Sequence, residues 1–155
     1  MPTMDDIYRK FGDASEAAQL LETELGTHLL ILQADEIDAF LGDRGEEATE
    51  ILRRINRSTL GQVLRKLKGG HPQFNDADGV FAAALAARNR LAHSFYRRHG
   101  LGKFSDEGRV RMLEDLKQIH TTLLEAYKLA LALGGIDIDA LVAQVRAMSS
   151  RDKPS

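Results

Sequence analysis

One short stretch of the chain combines residue types that can act on phosphate esters. Residues 87–99 read ARNRLAHSFYRRH and hold Arg88, Asn89 and His93 within two helical turns. An imidazole with an ordinary pKa of about 6.5 can both accept and donate a proton close to neutral pH. A guanidinium stays charged and can bind two phosphate oxygens at once. The three residues therefore suit proton transfer at a phosphodiester, and this chemistry needs no metal.

The element that must hold these residues is a helix, which the sequence predicts over residues 77–98 with Asp76 as its N-cap. At 100° per residue, Arg88 falls in the middle of an apolar sector, where a charged group must pair or extend to solvent. Asn89 and His93 are four residues apart and therefore neighbours on a polar strip beside that sector. Alanines interleave with this strip, so a second helix can approach closely, as in a symmetric dimer. The predicted apolar sector comprises Phe81, Ala84, Leu85, Leu91, Ala92 and Phe95.

The rest of the chain predicts further helices and no strand, so we expect an all-α bundle of four main helices with short additional ones. Apolar residues recur with helical spacing, and Ser, Gly and Pro mark the ends of the segments. The predicted elements are a helix over 15–42 capped by Ser15, two short helices within 45–70 divided near 56–58 with Ser58 capping the second, a loop through HPQFN, a long helix over 106–133 capped by Ser105 and closed by Gly134 and Gly135, and a short helix over 136–148.

Length and composition favour one helical domain, which we expect to span residues 1–149. Residues 150–155 are predicted to be a disordered tail. The chain has no cysteine, which excludes disulfides and thiolate metal sites. No apolar run approaches the roughly 18 residues that span a bilayer, and the acidic N-terminus is unlike a secretory signal. We therefore expect a cytoplasmic protein with no membrane partner.

The small net charge of −2 conceals a strong asymmetry along the chain. Residues 1–50 contain 3 basic and 13 acidic residues, for a net charge of −10. Residues 51–103 contain 11 basic and 2 acidic residues, for a net charge of +9. Such a basic middle segment can attract phosphates, or it can bind the acidic segment of the same or another copy.

The hexapeptide RNRLAH resembles the R-x4-6-H motif of the HEPN superfamily, whose members are all-α domains, commonly dimeric, and include many metal-independent endoribonucleases. In that family the arginine is usually followed by Asn, Asp or His, and Asn89 matches this pattern. The position of the motif late in the third major helix of a bundle is also similar, so the resemblance covers residues 10–133. The family includes toxins of toxin–antitoxin modules and anti-phage effectors, which implies RNA as substrate and an antitoxin protein as a partner.

The resemblance implies roles for the residues of this stretch. Arg88 would bind the scissile phosphate, Asn89 would orient His93 or the phosphate, and His93 would transfer protons. One histidine cannot act as base and acid at once, so a homodimer would contribute His93 from both chains. No cofactor is expected. The residues expected to contact RNA around this group are Arg90, Tyr96, Arg97, Arg98 and Lys103.

Two other interpretations of the same residues stay open. The protein could be a non-catalytic module whose basic segment binds nucleic acid, a nucleotide or an acidic partner protein. It could also be a structural dimer in which Arg88 pairs with an acidic residue such as Glu22 or Glu24. Asp137 and Asp139 have the spacing of a metal pair, but capping of the last helix explains them better, and we predict no metal site.

Overall fold

The computed structural model describes residues 1–37, 45–70, 72–135 and 138–151, and all regular elements in these ranges are helices. The prediction of an all-α fold is therefore confirmed for this part of the chain. None of these helices combines the length and the apolar character that crossing a bilayer requires. The elements are α1 (Met4–Ile37), α2 (Gly45–Arg57), α3 (Leu60–Gly70), α4 (Pro72–Asp76), α5 (Asp78–His93), α6 (Phe95–His99), a 3-10 helix (Gly100–Phe104), α7 (Asp106–Leu133) and α8 (Ile138–Arg151).

The two longest helices, α1 and α7, pack side by side in the centre of the fold. They run parallel, because Arg109 near the start of α7 donates to the carbonyl of Pro2 just before α1, and His28 in the second half of α1 contacts the carbonyl of Ala130 near the end of α7. Burial of large apolar side chains drives this packing. The fully buried side chains of the pair include Ile7, Leu21, Leu25, Leu29, Met112, Leu116, Ile119 and Leu123.

Helix α5, which carries the RNRLAH motif, packs antiparallel to α1. Its residue Arg88 contacts Glu22 in the middle of α1, and Phe95 just beyond its end contacts Phe11 near the start of α1. The helix also packs against α7 and buries Phe81 and Leu91. The motif is thus held between two long helices rather than on a loop.

Several predicted helix ends are confirmed because they depend on local chemistry. The hydroxyl of Ser105 accepts a hydrogen bond from the backbone N–H of Gly108 at 3.0 Å and caps α7. Helix α3 ends at Gly70, and α7 ends at Leu133, immediately before Gly134.

Two predicted caps are wrong. Helix α1 begins at Met4, so Ser15 lies inside it, and its hydroxyl donates to the carbonyl of Phe11 at 2.8 Å. Ser58 does not cap α3, because its hydroxyl donates backward to the carbonyl of Arg54. The cap is Thr59, which accepts from the N–H of Gln62 while the Gln62 side chain accepts from the N–H of Thr59.

The other corrections concern segments on either side of the motif. The predicted loop through HPQFN contains the short helix α4, whose Phe74 is buried. The predicted helix over 77–98 ends at His93, because the backbone of Ser94, at φ −140° and ψ −4°, leaves helical geometry. The N–H of Ser94 makes the last helical hydrogen bond, to the carbonyl of Arg90. A separate helix, α6, then follows.

Several predictions fall partly outside the described residues, including the end of the predicted helix over 15–42 and the start of the predicted helix over 136–148. The N-cap of α5 is Ala77, without a side-chain hydrogen bond, and the side chain of Asp76 is not described. Helix α8 continues to Arg151, so residues 150 and 151 of the predicted tail are helical, while 152–155 lie outside the described ranges.

Candidate active site on helix α5

Arg88 projects from the buried side of α5, although its side chain is 27% exposed. Phe81, Ala84, Ala87 and Leu91 are buried, whereas Ala92 is exposed. The buried face therefore extends further toward Ala87 than the predicted sector, and Arg88 still lies between the buried positions Ala84 and Phe81. From this position the guanidinium reaches both a neighbouring helix and solvent.

The guanidinium of Arg88 is held by a carboxylate of α1. Its Nε donates to Oε1 of Glu22 at 2.7 Å, and its Nη1 donates to Oδ1 of Asn89 at 3.4 Å. Both members of the ion pair are about one-third exposed, at 27% and 33%, so solvent screens the pair and its stabilisation is about 1 kcal/mol or less. Glu24 instead lies 3.4 Å from Nε2 of His28. Of the two carboxylates considered for Arg88, the partner is Glu22.

His93 is the last residue of α5 and its side chain is exposed. Within the described ranges the imidazole has no hydrogen bond or ion pair, and only its backbone carbonyl accepts a hydrogen bond, from Nη2 of Arg97 at 3.4 Å. Asn89 is also exposed, but no hydrogen bond joins it to His93 in this part of the chain. The structure therefore joins Arg88 to Asn89 and leaves the imidazole open to a ligand or a second chain.

The outer face of α5 beside His93 is lined with small side chains. Ala82, Ala83, Ala86 and Ala92 are exposed. No long side chain from these positions covers the helix backbone, so the face is shallow enough for another helix to approach.

The cations expected to contact RNA lie mainly on the segment after His93. Arg97 and Arg98 on α6 are exposed, and so is Lys103 on the 3-10 helix, whose Nζ lies 4.9 Å from the centre of the Phe104 ring. The ring of Tyr96 packs against Phe11 with centroids 5.2 Å apart, and burial raises the pKa of its hydroxyl. This surface combines exposed positive charge with exposed aromatic rings, a combination that suits single-stranded nucleic acid.

Arg90, the fifth residue expected to contact RNA, lies on the opposite side of α5, where its side chain is already paired. Its Nη2 forms an ion pair with Asp115 of α7, and among the described residues its buried Nε has no hydrogen-bond partner. The other oxygen of Asp115 lies 2.8 Å from Nε2 of His99. Arg90, Asp115 and His99 therefore form a half-buried cluster that joins α5, α6 and α7.

The sequence did not indicate the environment of His99. Its ring stacks on Phe95 with centroids 4.7 Å apart. Burial, followed by the positive charges of Arg90, Arg111 and Arg98, lowers the pKa of His99 below its ordinary value. Since a carboxylate only accepts hydrogen bonds, the Nε2–H of the ring donates to Asp115. No signal near His99 could reveal this, because Asp115 comes from another helix.

A cavity of about 380 Å³ opens beside the Arg88–Glu22 pair. It lies between α1, α5 and the junction of α2 with α3. Apolar side chains such as Ile55 and Val63 line part of it, and hydroxyl groups such as those of Thr27 and Thr59 line the rest. Its size is in the range of small-molecule sites, and one wall carries a paired positive and negative charge.

The described residues contain no group of three or more His, Cys, Asp or Glu side chains that could hold a metal ion. Asp137 lies outside the described residues, and the side chain of Asp139 is not described, so this finding does not include them. Comparison of the chain with models of known families, with curated proteins and with solved structures gives no match in any of the three.

Proposed function

We propose that the protein is a homodimeric, metal-independent endoribonuclease of the HEPN type that uses Arg88, Asn89 and His93 of both chains. The observation that carries this proposal is the arrangement of Arg88. Glu22 holds its Nε edge while Nη1 is directed to Asn89, on the helix that ends with the exposed His93. The guanidinium is thus fixed with donors near a surface that a phosphodiester can reach.

RNA supplies its own nucleophile, so two proton transfers and charge stabilisation are sufficient. His93 of one chain accepts the proton of the 2′-hydroxyl while that oxygen forms a bond to phosphorus. The bond from phosphorus to the 5′-oxygen breaks, and this oxygen takes a proton from His93 of the partner subunit. The products are a 2′,3′-cyclic phosphate and a 5′-hydroxyl. Arg88 stabilises the negative charge on the phosphorane oxygens.

The alanine-lined face of α5 supports the dimer that this mechanism requires. Ala82, Ala83 and Ala86 are exposed on the same helix as His93. In a two-fold dimer formed through this face, each chain presents the same strip to the other, so the two imidazoles approach one another. A single chain offers one imidazole at this surface and cannot supply both acid and base.

The basic surface after His93 guides the RNA strand to the site. Arg97, Arg98 and Lys103 contact phosphates, and the exposed face of Tyr96 stacks on a base. Arg90 adds positive charge while Asp115 holds it. A cytoplasmic toxin or anti-phage effector needs such a surface for cellular RNA, and an antitoxin that covers it would block cleavage.

A second candidate function follows from the Arg88–Glu22 ion pair. A carboxylate 2.7 Å from Nε offsets part of the positive charge that would attract phosphate. In this alternative the protein is a non-catalytic module whose basic surface binds nucleic acid, a nucleotide or an acidic protein. It predicts binding to RNA without any cut strand.

The test is cleavage of a mixed, end-labelled RNA in excess EDTA by the wild type and by His93→Ala. Gln118→Ala, at an exposed position on α7, serves as the matched control. We expect cyclic phosphate ends from the wild type and the control, and a rate at least about 100-fold lower for His93→Ala. Circular dichroism and urea unfolding should show all three folded, because exposed substitutions change the free energy of unfolding by about 0.5 kcal/mol or less. RNA binding without cleavage by wild type would favour the non-catalytic module.

A further inference from the structure

The cavity beside Arg88 has no part in the proton transfers, and we propose that it binds a nucleobase, guanine in preference to the others. This inference rests on the proposed function for the position of the phosphate at Arg88. It adds a base-selecting site next to the cleavage site. The observation that supports it is that Arg88 and Glu22 both line the cavity and form an ion pair there. A nucleotide whose phosphate contacts Arg88 therefore has its base within reach of the Glu22 carboxylate.

The lining of the cavity suits a flat ring with polar edges. Ile55, Leu60 and Val63 supply aliphatic surface from the junction of α2 and α3, against which the faces of a ring can pack. Thr23 and Thr27 supply hydroxyls from α1. A ligand without polar edges would leave the hydroxyls and the ion pair without new partners. A small ion without apolar surface would make no contact with the aliphatic wall.

Close packing of α1 and α2 fixes the shape of this site. A Cβ added at Gly26 would lie 3.2 Å from Cγ2 of Ile55, which is tighter than an ordinary contact. The absence of a side chain at this position lets Ile55 approach α1, and Gly26 itself lines the cavity. The aliphatic wall is therefore held against the helix that carries Glu22.

The carboxylate of Glu22 determines which base is favoured. Oε1 accepts from Nε of Arg88, and an ionised carboxylate has further acceptor positions but no donor. A base edge with neighbouring N–H donors is therefore preferred. The pairing edge of guanine presents two such donors side by side, uracil presents one, and adenine and cytosine place a bare acceptor nitrogen next to their amino group. Guanine is thus expected to bind most tightly.

The first arm of the test measures binding of the four free nucleoside 5′-monophosphates by isothermal titration calorimetry. Thr27→Trp places a large ring at an exposed position on the cavity rim, and Thr121→Trp is the matched control at an exposed position on α7 away from the cavity. We expect guanosine monophosphate to bind most tightly, Thr27→Trp to weaken it at least tenfold, and the control to stay within twofold. Equal binding of all four, or an unchanged affinity in Thr27→Trp, would overturn the base site.

The second arm maps cut positions in a mixed RNA in excess EDTA for the same three proteins and for Glu22→Gln. We expect cuts next to guanine, with this preference lost in Thr27→Trp and reduced in Glu22→Gln. If guanosine monophosphate binds at the cavity but no RNA is cut, the base site stands for the free nucleotide and the ribonuclease fails. If RNA is cut without base preference and no mononucleotide binds, the ribonuclease stands and the base site fails.

Discussion

Helix α5 carries two arginines that each pair with a carboxylate of a neighbouring long helix, and the two pairs differ in what surrounds them. Arg88 and Glu22 line an open cavity on the α1 side. Arg90 and Asp115 lie on the α7 side, where the carboxylate also holds the half-buried ring of His99. The carboxylate of the first pair lines a cavity that a ligand can enter, whereas the carboxylate of the second is shared between Arg90 and His99.

The comparison shows that an ion pair at a motif residue does not by itself indicate a structural role. The surroundings of the carboxylate decide the matter, because Glu22 faces a cavity whereas Asp115 links side chains of α5 and α6 to α7. The region on the α7 side gains rigidity from the close approach of the 3-10 helix to α7, where Gly102 touches Gly108. We therefore expect changes on the α7 side to affect stability and changes on the α1 side to affect cleavage.

The largest expected effect on stability is that of Gly108→Ala. A Cβ at this position would overlap the carbonyl oxygen of Gly102, so the 3-10 helix must move away from α7. We expect a loss of about 3 kcal/mol in the free energy of unfolding, measured with urea. Gly12→Ala is the matched control, since its Cβ meets nothing within 4 Å, and it should instead stabilise α1 by about 0.5–1 kcal/mol. Similar small effects for both variants would contradict a rigid contact on the α7 side.

A pair of isosteric changes compares the two carboxylates directly. Asp115→Asn leaves Arg90, whose Nε has no hydrogen-bond partner in the described ranges, without a counter-charge. We expect a loss of about 1–2 kcal/mol in the free energy of unfolding with cleavage nearly unchanged. Glu22→Gln should alter stability by less than about 1 kcal/mol and slow cleavage about tenfold, because Arg88 is no longer held toward Asn89. Urea unfolding and the RNA assay on both variants give the answer. If Asp115→Asn instead slowed cleavage and Glu22→Gln instead lowered the free energy of unfolding, the proposed distinction between the α7 side and the α1 side would be contradicted.

The smallest expected effect concerns the pH dependence of stability on the α7 side. Burial and nearby arginines lower the pKa of His99, so the unfolded chain takes up more protons as the pH falls below the ordinary imidazole pKa of about 6.5. The free energy of unfolding should therefore decrease on acidification, and His99→Gln should decrease less steeply between about pH 7 and about pH 5. His120, whose pKa is lowered by burial and by Lys10, contributes to the slope that remains in the variant. Equal slopes for variant and wild type would show that His99 does not contribute.

Local sequence signals predicted the all-α fold class and several helix ends, whereas contacts between helices determine the partners of the site residues. Ser105 acts as a cap because its own backbone is extended, at φ −128° and ψ 152°, between the 3-10 helix and α7. Ser15 does not, because the apolar spacing of Ile7 and Phe11 extends α1 upstream. Glu22 and Glu24 lie about 200° apart around α1, so only one can face α5, and sequence cannot fix that rotation. The contact of Asp115 with His99 depends on the packing of α7 against α6 and has no local signature.

The measurement that tests the central claim most directly is RNA cleavage by mixed subunits in excess EDTA. Wild-type and His93→Ala chains are unfolded together in urea, refolded at several ratios, and assayed at constant total protein. If both imidazoles of a dimer act in one site, only dimers of two wild-type chains are active, and activity follows the square of the wild-type fraction. Activity directly proportional to that fraction would contradict the shared site, and no cleavage at any ratio would contradict the ribonuclease itself.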